Sequence, residues 1–268
     1  MNFLSRLDET STEKNTVLCI GLDPALPQQR STNVIPSKYL VAKDENEVRL
    51  NFCLDIIELT KDFSCAFKPN QQYVAGFTKK DHQRLTKAIQ EVDAVSILDY
   101  KLNDIEDTIE SALYQVHEWR YDAITFNPLF GNMQTAVDLA HRYKPEIGII
   151  VLTLTSNVEA ARYLREAAIG KIPLFEIIAG DVNRFKADGC VVGATGHVKE
   201  EDIIRIRKIV GKDKVFLVPG IGTQKGNPEK VIKAAGKNIL INVGRDIIYS
   251  EDPREKAESY FELFNSIR

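Results

Sequence analysis

Short apolar runs rich in β-branched residues recur along the whole chain, and we predict that they are strands. Most of these runs are continuous rather than alternating, which is typical of parallel strands that are buried on both faces. Most successive runs begin about 25–30 residues apart, which leaves room for one strand, one helix and two loops. The eight predicted strands cover residues 17–22, 64–67, 94–98, 123–126, 147–154, 189–193, 215–218 and 239–243.

Helical patterns fill the intervals between these runs. In residues 103–119, apolar side chains recur at steps of three and four and form one face. Further helices are predicted over residues 158–168, 202–210, 228–235 and 254–267.

Eight strand–helix units in about 250 residues match a (β/α)8 barrel of the TIM type, in the α/β class. A doubly wound open sheet is the alternative, but the turn after the first run reads GLDPALP, without the GxGxxG of that fold. Because no linker rich in proline or glycine divides the chain, we predict that residues 1–268 form one barrel domain.

The composition narrows the class of protein further. With 35 basic and 38 acidic side chains there is no basic excess, so we expect no nucleic-acid partner. The sequence contains no run of about 18 apolar residues, so we expect no membrane span. Because the first residues lack an apolar signal segment, we expect a cytoplasmic protein. The four cysteines show no CxxC spacing, which disfavours zinc ribbons and disulfide scaffolds. We expect His82, His117 and His141 on solvated faces, and His197 receives no role.

Charged residues follow the predicted strands at one end only, where a (β/α)8 barrel assembles its chemistry. Asp23 follows the first run, Lys68 the second, and Asp99 and Lys101 the third. Because residues i and i+2 of a strand point to the same face, Asp99 and Lys101 should lie side by side in the barrel mouth, with Lys68 beside them. Asp104 should lie in the first turn of the next helix. A structural ion-pair network is the alternative interpretation, although burial of charge is costly.

The last two predicted strands are followed by residues typical of a phosphate site. The segment PGIGTQKG, residues 219–226, follows the seventh strand, and its glycines let backbone N–H groups approach an anion. Gly244 and Arg245 follow the eighth strand, and a guanidinium can bind phosphate through two parallel hydrogen bonds. Since phosphate usually binds at these two loops in this fold, we predict a phosphate site here.

The strand ends together resemble the orotidine 5′-phosphate decarboxylase family. The matching motifs are GLDP (21–24), FKPN (67–70), LDYKLNDIEDT (98–108), VVGAT (191–195), PGIGTQ (219–224) and NVGR (242–245). The resemblance implies a (β/α)8 barrel that converts orotidine monophosphate to uridine monophosphate and CO2. It also implies that no metal or organic cofactor is used, and that the enzyme is a homodimer with shared active sites.

The resemblance further implies catalytic roles for four side chains. Lys68, Asp99, Lys101 and Asp104 would form a charged array, in which Asp104 reaches into the active site of the partner subunit. Lys101 would protonate the ring carbon that loses CO2, and Asp99 would lie against the substrate carboxylate.

The remaining implied roles concern substrate binding. Asp23 and Lys68 would bind the ribose hydroxyls, and Ser156 would recognise the amide edge of the pyrimidine. Gln224, Gly244 and Arg245 would hold the phosphate. The implied substrate-binding residues are Asp23, Asn70, Ile105, Thr108, Ser156, Gln224, Gly244 and Arg245, with Ile105 and Thr108 supplied to the neighbouring subunit.

Three other functions stay open at this point. A sugar-phosphate decarboxylase or aldolase of the same superfamily would share the motif but use a divalent metal. A Schiff-base aldolase would need a lysine of lowered pKa, which the aspartates near Lys101 disfavour. A non-catalytic nucleotide-binding barrel is the third. The chain departs from the family pattern at Glu106, Asp107, Val158, Thr223 and Lys225, which flank the implied site residues and replace none of them.

Overall fold

The computed structural model describes residues 2–42 and 44–268, in which eight parallel strands close into a barrel. The barrel order is β1-β2-β3-β4-β5-β8-β9-β10, and β10 pairs with β1. Each apolar run predicted from the sequence coincides with one of these strands, which confirms the (β/α)8 fold. The strands are β1 (Leu18–Leu22), β2 (Ala66–Pro69), β3 (Val95–Leu102), β4 (Ala123–Phe126), β5 (Gly148–Leu154), β8 (Gly189–Val192), β9 (Val215–Pro219) and β10 (Ile239–Val243), and a hairpin adds β6 (Ala168–Ile169) and β7 (Ile172–Pro173).

Helices surround the barrel and follow most strands. The predicted helix over 228–235 has the same bounds in the structure, whereas the one predicted from residue 103 begins at Glu106. The helices are α1 (Phe3–Glu13), α2 (Glu45–Thr60), α3 (Gln71–Val74), α4 (Lys79–Glu91), α5 (Glu106–Trp119), α6 (Met133–Ala140), α7 (Leu174–Arg184), α8 (Glu200–Val210), α9 (Pro228–Ala235), α10 (Arg245–Ile248) and α11 (Pro253–Ile267).

The prediction of a helix over residues 158–168 is correct only for its central part. The chain forms only a short π-helical segment, Ala161–Glu166, and then enters the β6–β7 hairpin. Gly170 adopts a φ of +64° in the turn of this hairpin, and the backbone N–H of Leu174 donates to the carbonyl of Ala167 at 2.9 Å. Because glycine enters the left-handed region without a steric penalty, the turn outweighs the helix propensity of the preceding residues.

Helix α1 closes the amino-terminal end of the barrel. Phe3 and Leu7, one helical turn apart, pack against the apolar side chains of the barrel interior. The fit requires a glycine on β5, because a Cβ at Gly148 would lie 2.4 Å from Cδ1 of Phe3. The amino-terminal end of the barrel is therefore closed by a short amphipathic helix, which fits because Gly148 has no side chain.

An ion pair between a buried aspartate and a half-buried arginine lies at the same end of the barrel. Arg6 Nη1 on α1 lies 2.5 Å from Asp122 Oδ1, just before β4. Asp122 Oδ2 accepts hydrogen bonds from the backbone N–H and the hydroxyl of Ser96, at 2.8 and 2.7 Å. Burial raises the pKa of the Asp122 carboxyl, and Arg6 and Ser96 oppose this increase. Both oxygens of the carboxyl group thus have partners within the fold.

Several single-residue expectations can be compared with the structure. All four cysteines are buried and unpaired. The expectation of a solvated His82 is wrong, because its side chain is buried and its ring stacks on Trp119 with centroids 4.1 Å apart. Burial lowers the pKa of His82 to about 4.

Over residues 2–42 and 44–268, no helix combines the length and the apolar character needed to cross a bilayer.

Candidate active site

Three charged side chains meet at the carboxyl ends of β2 and β3. Lys68 Nζ donates to Asp99 Oδ2 at 2.7 Å, and Lys101 Nζ donates to Asp99 Oδ1 at 2.7 Å. The structure therefore brings together the residues that sequence reasoning placed side by side. We call Lys68, Asp99 and Lys101 the charged cluster.

The backbone that builds the charged cluster is not a regular strand. The register between β3 and β4 shifts between Leu98 and Leu102, and Lys101 lies in the left-handed region with a φ of +53°. Left-handed backbone is unfavourable for a residue with a Cβ and persists when the surroundings hold it. Thr125 on β4 provides such a contact, because its hydroxyl accepts from the Lys101 N–H and donates to Asp99 Oδ1, both at 2.9 Å.

Electrostatic interactions within the charged cluster favour the ionised forms of Lys68 and Asp99. Burial alone would lower the pKa of Lys68, but Asp99 and Asp23 outweigh burial and raise it. Burial alone would raise the pKa of Asp99, but the ammonium groups of Lys68 and Lys101 outweigh burial and hold it well below the usual range. Two cations thus share one anion, and the cluster carries an excess positive charge.

A cavity of about 300 Å³ opens beside the charged cluster. Its other walls come from the ends of β5, β8 and β9 and combine apolar side chains with small polar ones. Charged groups on one side and apolar groups on the other suit a flat ring that carries an anionic substituent. The lining residues are Lys68, Asp99, Lys101, Thr125, Leu152, Thr155, Ser156, Asn157, Val191, Leu217 and Pro219.

A second cavity of about 150 Å³ adjoins the first and shares Ser156 and Pro219 with it. Gly220 has a φ of +104°, and a Cβ there would lie 2.8 Å from Oε1 of Gln224. Gln224, Gly244 and Arg245 of the predicted phosphate site all line this cavity, as does Asp23. The two cavities together suit an elongated ligand with an anionic group at the end remote from the charged cluster.

Four predicted site residues lie elsewhere in the structure. The prediction that Asp104 lies in the first turn of the next helix is wrong, because α5 begins two residues later and Asp104 Oδ1 accepts from the N–H of Ile105 at 2.8 Å. Ile105 and Thr108 are exposed, and Asn70 Oδ1 accepts from the N–H of Gln72 and caps α3. In the described part of the chain, neither cavity lining includes any of these four residues.

Sequence reasoning gave no role to two residues that hold the site in place. Thr125 ties Asp99 to the backbone of Lys101, and its position at the end of a predicted strand was a usable signal. The hydroxyl of Tyr249, after α10, donates to the carbonyl of Asp23 at 2.7 Å and accepts from the N–H of Ala25 at 2.9 Å. No local pattern marks Tyr249, because its partners lie more than 220 residues away.

The charged cluster is better suited to anions than to metal ions. Asp99 is its one carboxylate, and both oxygens of that carboxylate accept from ammonium groups. Among residues 2–42 and 44–268, no group of three or more His, Cys, Asp or Glu side chains is arranged to hold a metal ion. The ammonium groups of Lys68 and Lys101 each retain further N–H donors that a negatively charged ligand can use.

A (β/α)8 barrel with an ammonium-rich cavity and an adjoining cavity lined by glycines and an arginine has features typical of enzymes that act on phosphorylated substrates. The model of the orotidine 5′-phosphate decarboxylase / HUMPS family matches residues 16–260. The chain belongs to this family.

Curated relatives carry the same description over nearly their whole length. An orotidine 5′-phosphate decarboxylase of Dechloromonas aromatica is 33% identical over 263 residues, which are 93% of this chain and 91% of that protein. The corresponding protein of Ralstonia nicotianae is 31% identical and aligns with 97% of this chain and 94% of its own length. The chain is thus a carboxy-lyase of this family.

Solved structures agree with the fold. The OMP decarboxylase of Leishmania donovani has a TM-score of 0.79 and 28% identity, and the match covers 100% of this chain and 99% of that one. The UMP synthase of the same organism has a TM-score of 0.81 and 29% identity, and the match covers 100% of this chain and 56% of that longer chain.

Proposed function

We propose that this enzyme decarboxylates orotidine 5′-phosphate to uridine 5′-phosphate and CO2 without a metal or organic cofactor. Family membership and the descriptions of the relatives support this reaction. The observation that carries the proposal is the charged cluster, which presents two ammonium groups around one carboxylate at the wall of a ring-sized cavity. A second cavity for the phosphate adjoins it.

Lys101 is the proposed proton donor. In the reaction, the bond between the ring carbon and the carboxylate breaks, CO2 leaves, and the electron pair stays on the ring carbon. Because no carbonyl delocalises this pair, a fixed ammonium that stabilises the developing charge and then gives it a proton lowers the barrier. The Lys101 side chain is 48% exposed, whereas that of Lys68 is 8% exposed, so Lys101 has the freer ammonium.

The other members of the charged cluster keep Lys101 in position. Asp99 holds its ammonium at 2.7 Å and, in the proposed complex, also lies against the substrate carboxylate. Lys68 holds the second oxygen of Asp99 and, with Asp23, binds the ribose hydroxyls. Ser156, at the junction of the two cavities, recognises the amide edge of the pyrimidine.

The phosphate site supplies binding energy remote from the reacting carbon. Gln224, Gly244 and Arg245 line the second cavity and are the proposed phosphate ligands. Because that energy can hold the site closed and offset orientation costs, Arg245→Ala should lower kcat as well as raise KM. Arg254→Ala, which removes an exposed arginine on α11, is the matched control. An unchanged kcat at saturating substrate in Arg245→Ala would contradict this role.

We also propose a homodimer in which each subunit completes the site of the other. Asp104 is half-buried beside the exposed Ile105, and its carbonyl oxygen accepts from Asn132 Nδ2 at 3.2 Å. Phe130, two residues before Asn132, is 67% exposed. A partner subunit that covers these apolar residues could take Asp104, Ile105 and Thr108 as parts of its own site. Mixing Asp104→Asn with Lys101→Met subunits should restore activity, because one site of each mixed dimer is then intact. A fully active monomer would refute the shared site.

The decisive experiment follows the absorbance of orotidine monophosphate in a chelator-treated assay. The wild-type chain and Lys87→Met, a change on the exposed face of α4, should both consume the substrate. Lys101→Met should not, because it replaces the ammonium by an uncharged group of similar length. Loss of wild-type activity with the chelator would favour the metal-dependent relatives, and trapping of substrate by borohydride would favour a Schiff base. An active Lys101→Met enzyme would end the proposal.

A further inference from the structure

His197 joins two loops at the rim of the cavities. It lies between β8 and α8, and its Nε2 is 2.9 Å from the carbonyl oxygen of Thr155, in the loop after β5. Because a carbonyl oxygen only accepts, Nε2 carries the proton and donates. Nδ1 lies 3.1 Å from the hydroxyl oxygen of Thr195, in the same loop as His197.

Thr195 makes a second contact between the same two loops, at the residue after Thr155. Its hydroxyl donates to the carbonyl oxygen of Ser156 at 2.7 Å. The β8 loop thus holds two successive carbonyl groups of the β5 loop, those of Thr155 and Ser156. These contacts act between segments about 40 residues apart in the chain, so they fix the position of one loop relative to the other.

The surroundings of Ser156 leave little freedom for another position. A Cβ at Gly193 would lie 2.6 Å from Cα of Ser156, and a Cβ at Gly220 would lie 3.2 Å from Cβ of Ser156. Both glycines therefore approach Ser156 closely, from β8 and from β9. Since Ser156 lines both cavities, a displacement of the β5 loop changes the junction between them.

We propose that His197 is a positioning residue which, with Thr195, fixes Ser156 for recognition of the pyrimidine base. The proposal rests on the proposed function, which assigns the amide edge of the base to Ser156. His197 belongs to neither cavity lining among the described residues, so it acts through Thr155 and Ser156. The device concerns the base and leaves the phosphate contacts of Gln224 and Arg245 unchanged.

The test compares two ligands that share the ribose phosphate and differ in the base. Uridine monophosphate and ribose 5-phosphate are titrated calorimetrically into the full chain and into His197→Ala and Thr195→Val. We expect both variants to bind uridine monophosphate about tenfold more weakly, the effect of one or two hydrogen bonds, and to bind ribose 5-phosphate like the wild type. In the decarboxylation assay, KM should rise more than kcat falls.

Conservative variants provide the matched controls. His197→Gln keeps an amide donor for the Thr155 carbonyl, and Thr195→Ser keeps the hydroxyl for Ser156. Both should recover most of the affinity for uridine monophosphate. Should His197→Ala fail to fold, Thr195→Val carries the same test, because it changes a hydroxyl to a methyl group of similar size.

Two results would overturn the inference alone, in a wild-type chain that is active. One is unchanged affinity for uridine monophosphate in His197→Ala and Thr195→Val. The other is an equal loss for both ligands, which indicates a general disturbance of the loops. If the wild type neither decarboxylates orotidine monophosphate nor binds uridine monophosphate, the proposed function fails and this inference fails with it.

Discussion

Each end of the barrel holds an aspartate with little exposure, but the surroundings of the two aspartates differ. At the amino-terminal end, Asp122 has one cation, Arg6, and a serine that satisfies its second oxygen, so charge and hydrogen bonds balance. At the carboxyl-terminal end, Asp99 has two cations, and a cavity of about 300 Å³ opens beside them. The first arrangement completes the fold, whereas the second leaves ammonium N–H donors that a ligand can use. The same residue type is thus structural at one end and available for chemistry at the other.

The largest expected effect is a loss of activity in Asp99→Asn. This change leaves two ammonium groups without their shared anion, so Lys101 loses the carboxylate that holds its ammonium in position. We expect kcat/KM for orotidine monophosphate to fall at least about a thousandfold. The assay should be run at a temperature at which circular dichroism shows that the variant is folded. Wild-type activity in this variant would place Asp99 outside the chemistry and remove the contrast between the two ends.

The same substitution at the other end, Asp122→Asn, should affect stability instead. Breaking a buried ion pair leaves Arg6 without its partner, and we expect the free energy of unfolding to fall by about 3 kcal/mol. Urea denaturation measures this loss, and kcat at a temperature where the variant is folded should match the wild type. A variant that keeps its stability but loses activity would show that the floor of the barrel shapes the site.

A smaller effect is expected from Thr125→Val. Valine has nearly the same size as threonine but lacks the hydroxyl. The N–H of Lys101 therefore loses its acceptor, and Asp99 Oδ1 loses one of its donors. We expect kcat to fall about tenfold with KM nearly unchanged, since Thr125 positions the charged cluster without binding the ribose or phosphate. Thr125→Ser should restore the rate. Equal rates in the serine and valine variants would mean that the hydroxyl does not position Lys101.

The smallest effect concerns His82, which lies on helix α4 and belongs to neither aspartate site. Its folded-state pKa of about 4 lies below the ordinary value of 6.5, so the unfolded chain takes up a proton more readily. This residue therefore contributes stability that is present above about pH 6.5 and lost as pH falls toward 4. Between about pH 7 and 5.5 the loss should be roughly 1 kcal/mol. His82→Gln should remove that part of the pH dependence, and an unchanged profile would contradict it.

The barrel could be predicted because its strands are continuous apolar runs, which are typical of parallel strands buried on both faces. The segment over 158–168 and helix α1 could not, since a glycine turn decides the first, and only Phe3, Leu4 and Leu7 of the second are strongly apolar. Alternation along a strand predicted the proximity of Asp99 and Lys101, but the left-handed backbone of Lys101 brings it about. Contacts with distant partners, such as those of Tyr249, leave no local pattern to read.

The single-domain organisation and the individual site roles stay predictions. For Asp104, Ile105 and Thr108, the proposed partners belong to a second subunit, so the order of residues in one chain cannot reveal their contacts. Asn70 is different, because its side chain oxygen already caps α3. A role for Asn70 in binding would have to use its amide nitrogen.

The left-handed turn at Lys101 limits how this centre can be transplanted. An Asp-x-Lys pair copied onto a regular strand of another barrel would inherit the residue types without the left-handed backbone at the lysine. The graft would also need the register shift between β3 and β4 and a hydroxyl on the adjacent strand. The smallest transferable unit is therefore a pair of neighbouring strands, and a motif search along one strand would miss half of it.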